Sequence, residues 1–156
     1  MKSYKNRNNR QIAEWFAEGK TSGRTKHLYI EGDTIYSYGS HFPIAQRIVL
    51  GGETAYLFTT GGYSTTTARH KSLVRHAIRH NVVIEARQLN RPLDLDWFRF
   101  EIAGKEIRIR TAQAKLAKAR TNKWQDKWQE DIEHHEAQIK LLHELAIELN
   151  LIVEAL

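Results

Sequence analysis

The chain has 156 residues, 41% of them apolar, no cysteine, and a formal net charge of +6. Its length suits one ordinary domain or a small domain with a helical appendage, and its apolar content excludes wholesale disorder. Without cysteine, disulfides, thiolate zinc sites and a cysteine nucleophile are excluded as well.

No run of about 18 apolar residues occurs, so no membrane span is expected. Met1 to Arg10 is polar and basic with no apolar stretch after it, so no secretory signal is expected and the cytoplasm is the anticipated compartment. The charge is uneven. Met1–Asn81 carries +7 and Val82–Leu156 carries −1, so an anionic partner is drawn first to the N-terminal half.

Asn8 to Lys20 reads as a short amphipathic helix with Ile12, Trp15 and Phe16 on one side and Gly19 near its end. Thr21–Lys26 reads as a flexible basic loop. The periodicity then changes. His27–Ile30 and Thr34–Tyr38 flank Glu31-Gly32-Asp33, and Ile44–Leu50 and Thr54–Thr59 flank Gly51-Gly52-Glu53, which predicts two β-hairpins. A helix is predicted from about Thr65 to His80, with Ser64 as its N-cap, because the serine hydroxyl can accept an otherwise orphaned backbone N–H. Val82–Ala86 is a candidate fifth strand. Arg91-Pro92 marks a boundary, since proline disfavours helix at the residue before it.

The remainder reads as helical. Trp128, Ile132, His135, Ile139, Leu142, Ala146, Leu149 and Val153 recur at three- and four-residue spacings, which is a heptad-like seam. Leu95, Phe98, Ile102, Ile109 and Leu116 give a weaker seam in Asp94–Arg120. Phe98, Phe100, Ile102, Ile107 and Ile109 also alternate around Gly104, so a β-hairpin over residues 97–110 is an open alternative. Lys105–Lys127 carries +6 and Gln129–Leu156 carries −6, so two arms joined near Thr121-Asn122 would attract each other as an antiparallel hairpin. Each exposed pair is worth only about 0–1 kcal/mol, so the apolar seam should supply most of the stability. The predicted fold class is α+β: a small antiparallel sheet with a basic helix in residues 1–91, then a C-terminal antiparallel helical hairpin in residues 92–156.

At about 100° per residue, the Thr65–His80 helix places Thr66, His70, Leu73, Val74, Ala77 and Ile78 on one side. Lys71, Arg75 and Arg79 form a stripe on the other, with Arg69 and His76 beside it. Like charges at that spacing repel by a few tenths of a kcal/mol per pair, and a phosphate backbone would relieve this with counterion release. Arg24 and Lys26 add to the candidate nucleic-acid-binding set. The bland alternative is a solvated helix face. His70 falls near the middle of the apolar side and reads as an inward histidine hydrogen-bonded to a loop or strand. His76 and His80 stand four residues apart but have no supporting ligand near them in sequence, so no metal site is expected. Tyr29, Tyr36, Tyr38 and Tyr56 read first as sheet packing and second as surfaces for stacking on bases. No nucleophile elbow, P-loop, zinc-protease helix or dinucleotide fingerprint occurs, so no catalytic residue and no cofactor are expected.

Two segments carry a resemblance. Ser37-Tyr38-Gly39-Ser40-His41-Phe42-Pro43-Ile44-Ala45 and Tyr63-Ser64-Thr65-Thr66-Thr67-Ala68-Arg69-His70 are similar to a pattern in small uncharacterised proteins of phages and mobile elements. There an S-Y-…-I-A strand precedes Y-S-x-T-T-x-x-H entering a helix. The resemblance covers roughly the middle third of the chain. It implies a phage setting, a host-cell cytoplasmic location and a soluble α+β module, and it brings no activity with it. The leading functional expectation is a non-enzymatic accessory protein that binds nucleic acid, or a nucleic-acid-bound host complex, through the basic helix. The rivals are a protein-binding inhibitor of host defence (anti-CRISPR-like or anti-restriction) and a self-assembling protein, with a homodimer formed through the C-terminal helices.

Overall fold

Six strands lie across one sheet in the order in which the chain makes them. The structure, a computed structural model, describes residues 8–40, 42–62, 64–151, 154 and 156. It divides into two compact units, Met1–Asn90 and Arg91–Leu156. The fold is α+β with a C-terminal helical hairpin.

The first unit opens with α1 (Asn9–Ala17), then β1 (Ser22–Arg24), β2 (Leu28–Glu31), β3 (Thr34–Ser37), β4 (Pro43–Leu50) and β5 (Glu53–Thr59). These strands form an antiparallel meander. The β4–β5 turn needs left-handed backbone at Gly51 and Gly52 (φ 60° and 78°), which glycine adopts without strain. The helix α2 (Thr65–Ala77) then carries the chain over to β6 (Val83–Ala86), which joins β5 in parallel. A parallel partner requires such a crossover.

Cross-strand register puts Ile30, Ile35, Ala45 and Phe58 in one row across the sheet. That face meets both helices. Ile12, Ala13 and Phe16 of α1 and Val74 and Ile78 of α2 join Leu28, Ile30, Ile35, Ala45 and Tyr56 in one buried cluster. Arg47 locks α1 to this face. Its guanidinium lies 4.5 Å from the Phe16 ring centre and donates to the carbonyls of Phe16 (2.9 Å) and Lys20 (2.6 Å) at the C-terminal end of α1. A cation there also complements the negative end of the helix.

In one respect the sequence reading is corrected: Thr21–Lys26 contains strand β1 and is not a loop throughout. Its signal is weak because the strand is three residues long. Tertiary contact fixes it: Gly23 lies so close under Trp15 that a Cβ would stand 2.9 Å from the indole.

The second unit contains α3 (Leu95–Lys118) and α4 (Asn122–Glu148), which pack against each other. The open choice over residues 97–110 resolves as helix. Asp94 caps α3 by accepting from the Trp97 N–H at 2.9 Å, and Phe98 and Ile102 are buried one turn apart while Phe100 stays exposed. In α4, Ile132, Leu142 and Ala146 of the expected seam are buried, and so are Gln138 and Leu145. Leu149 is exposed, and Val153 lies outside the described residues. Lys115 of α3 sits 4.4 Å over the Trp128 ring of α4. No helix among the described residues is long and apolar enough to cross a membrane.

Candidate nucleic-acid interface on the basic helix

The site is built on α2, whose start is fixed by Ser64. The serine hydroxyl oxygen accepts from the Thr67 N–H at 3.2 Å. Tyr63, the first residue of that motif, lies outside the described residues, as does His41 of the other motif. The buried side of α2 is Thr67, His70, Val74 and Ile78. Thr66, expected inward, is exposed, and Thr67 takes its place.

His70 joins the two sequence motifs. Its Nδ1 lies 2.6 Å from the Ser37 hydroxyl on β3, and its Nε2 lies 3.3 Å from the Asn9 amide nitrogen on α1. Asn9 in turn accepts the Thr25 hydroxyl at 2.6 Å. This network assigns the ring tautomer: Asn9 donates to Nε2, so Nδ1 carries the proton and donates to Ser37. Burial, and then the charge of His27, hold the His70 pKa below its ordinary value. The ring is therefore neutral, as a buried imidazole facing a donor must be. A serine beside a histidine raises the question of nucleophilic catalysis. Here Ser37 is 0% exposed and His70 2% exposed, so the pair cannot meet a substrate. Its work is to hold α2, α1 and the sheet together.

The helix expected to reach about His80 ends at Ala77, so the cations stand on the outer side of α2 and, for Arg79, in the turn after it; the structure sorts them into three groups. Arg69, His76 and Arg79 are exposed and border a groove between α1 and α2. Arg75 is exposed on the other flank, 5.9 Å from the Phe58 ring centre. Lys71, on that same flank, turns inward: its ammonium donates to the Gly61 carbonyl at 2.7 Å, and burial lowers its pKa. Arg24 and Lys26 are not brought to this surface. Arg24 aligns in register with Tyr29 and Tyr36 on the sheet face away from α2, and Lys26 lies just beyond β1. Tyr29 and Tyr36 stack on each other at 5.0 Å, and Tyr36 and Tyr56 are buried, so these rings do sheet packing.

The groove is what sequence reasoning missed. It is open to solvent and has a volume of about 1050 Å³. Leu73 and Ala77 form its floor, since both are half-buried and pack on the core below. Glu14 and Glu18 stand on its α1 side. Each has a cation on its own helix or just after it: Arg10 Nε reaches Glu14 at 3.1 Å and Lys20 Nζ reaches Glu18 at 3.7 Å. A groove between helices so far apart in sequence leaves no pattern in a single sequence. His76 and His80 belong to no cluster of three potential metal-ligand side chains among the described residues.

Comparison with known proteins adds no relative: no family model matches the chain, and neither a curated protein nor a solved structure matches it.

Proposed function

We propose that the chain is a non-enzymatic binding protein that engages nucleic acid through the outer face of α2. One observation carries this reading. α2 holds Arg69 and Arg75 with no acidic residue, Arg79 follows in the turn after it, all three are exposed, and none forms an ion pair among the described residues. Arg79 uses one donor on the His76 carbonyl at 2.8 Å, but a guanidinium has further donors to offer a phosphate, and phosphate binding at these arginines releases counterions. Lys71, held by Gly61, contributes little to the interface. About three phosphate contacts give a log–log salt slope of roughly −2 to −3, which means modest, salt-sensitive affinity. An electrophoretic shift titrated in salt tests the reading. Arg75→Glu with Arg79→Glu should abolish the shift and leave the circular dichroism spectrum unchanged. A wild-type chain that shifts nothing at low salt would refute it. The phage or mobile-element setting rests on the two sequence motifs alone.

A second reading, self-association through the C-terminal helices, is favoured by Ile107 and Ile147, which are 55% and 61% exposed. Light scattering at rising concentration tests it, and a constant monomer mass would end it.

A further inference from the structure

We infer that the α1–α2 groove takes an unpaired base, so that the nucleic acid bound at α2 is single-stranded. This rests on the nucleic-acid reading above and specifies it. The groove has three surfaces of different chemistry. On one side stand the exposed guanidiniums of Arg69 and Arg79. The floor is apolar, formed by Leu73 and Ala77. On the α1 side stand the carboxylates of Glu14 and Glu18 together with Arg10, which pairs with Glu14 while Lys20 pairs with Glu18; each carboxylate keeps oxygen lone pairs to spare.

A single strand matches all three. Its phosphates suit the arginines, the flat face of an unstacked base suits an apolar floor, and exocyclic amino groups on the base edge suit carboxylate acceptors. A duplex matches only the first. Its pairing edges are occupied, and its flanking phosphates would be carried toward Glu14 and Glu18. α1 also walls off one flank of α2, which a recognition helix must leave free to enter a major groove. An acidic amphipathic helix, the other occupant suited to basic residues over an apolar floor, would set its own carboxylates against Glu14 and Glu18. The single strand is therefore the occupant favoured by the charge pattern.

The carboxylate side adds a base preference. Cytosine offers an amino group and thymine offers none, although both carry the same backbone charge. Fluorescence anisotropy on the full chain at low salt, with labelled oligo(dC), oligo(dT) and a duplex of about 12 nucleotides each, tests this. Oligo(dC) should bind roughly tenfold more tightly than either of the others.

Two variants locate the effect. Ser72→Trp fills the groove from an exposed position without changing charge, and should reduce oligo(dC) to the duplex level. Glu14→Ala with Glu18→Ala should tighten both oligonucleotides by removing negative charge, yet erase the difference between them.

Equal binding of duplex and single strand would overturn this inference and leave the wider function standing. No binding of any nucleic acid would overturn both. An oligo(dC) preference surviving in both variants would place the base elsewhere and overturn the groove. Saturable binding of an acidic helical peptide with none of oligo(dC) would make the groove a protein-docking site and overturn the inference as well.

Discussion

The two units hold their helices by different means. In Met1–Asn90 the apolar cluster is closed by polar groups that each fasten several elements. Arg47 ties β4 to the C-terminal end of α1, and His70 ties α2 to β3 and α1. In Arg91–Leu156 two long helices lie along each other, with buried Phe98, Ile102, Ile132, Leu142 and Leu145 spread over many turns and Glu101, Lys105 and Gln138 buried beside them, so apolar contact makes up most, not all, of that seam. The contrast shows where geometry is specified. Hydrogen bonds are directional, so a buried polar key admits one arrangement. Apolar contacts are non-directional, and a long seam tolerates local change more readily.

The largest expected effects set one unit against the other. Leu142→Ala should cost about 3 kcal/mol through a buried cavity, and Arg47→Ala about 2 kcal/mol through lost charge-assisted bonds to the carbonyls that end α1. Urea denaturation followed by circular dichroism measures both. If Arg47→Ala proved neutral, polar keying would be an idle description of the first unit.

A middle-sized effect concerns His70. Its folded pKa lies below the ordinary value of 6.5, so folding favours the neutral ring. The stability it contributes is complete above that value and declines as pH falls through the window below it. Protonation would also put an N–H on Nε2 against the Asn9 amide. Wild type should lose more stability between about pH 7.5 and pH 5.5 than His70→Ala does, and urea midpoints at the two values measure the difference. An identical loss in both proteins would remove His70 from the account. The smallest effects are the caps: Ser64→Ala and Asp94→Ala should each cost about 1 kcal/mol, with Asp94 the larger because its charge also meets the helix dipole. Thermal melts would order the two.

Much of this architecture was legible from local chemistry. Turn residues gave both hairpins, Ser64 gave the start of α2, and the position of His70 on the apolar side gave its inward pointing. Local patterns failed where distant contacts decide the outcome. Ser22–Arg24 becomes a strand because β2 and Trp15 hold it, and Phe98–Ile109 alternates like a strand although helical burial wins. The candidate site was half legible. A 3.6-residue projection places cations outside, but it cannot show that Gly61 captures Lys71 or that α1 brings Glu14 and Glu18 alongside. Arg24 and Lys26 joined the candidate set by charge alone, and the sheet sends them elsewhere.

The strand order has a consequence for how the chain folds. From β1 to β5 every pairing joins strands adjacent in sequence, so each ladder needs only a short loop to close. Short closures are entropically cheap, and the meander can grow as a ribbon one strand at a time. The Asn9–His70 contact, which spans 61 residues, must wait until α2 has formed. α1 can pack on β1 and β2 as they form, but its pairing with α2 is expected late, and the groove comes into being only in that step.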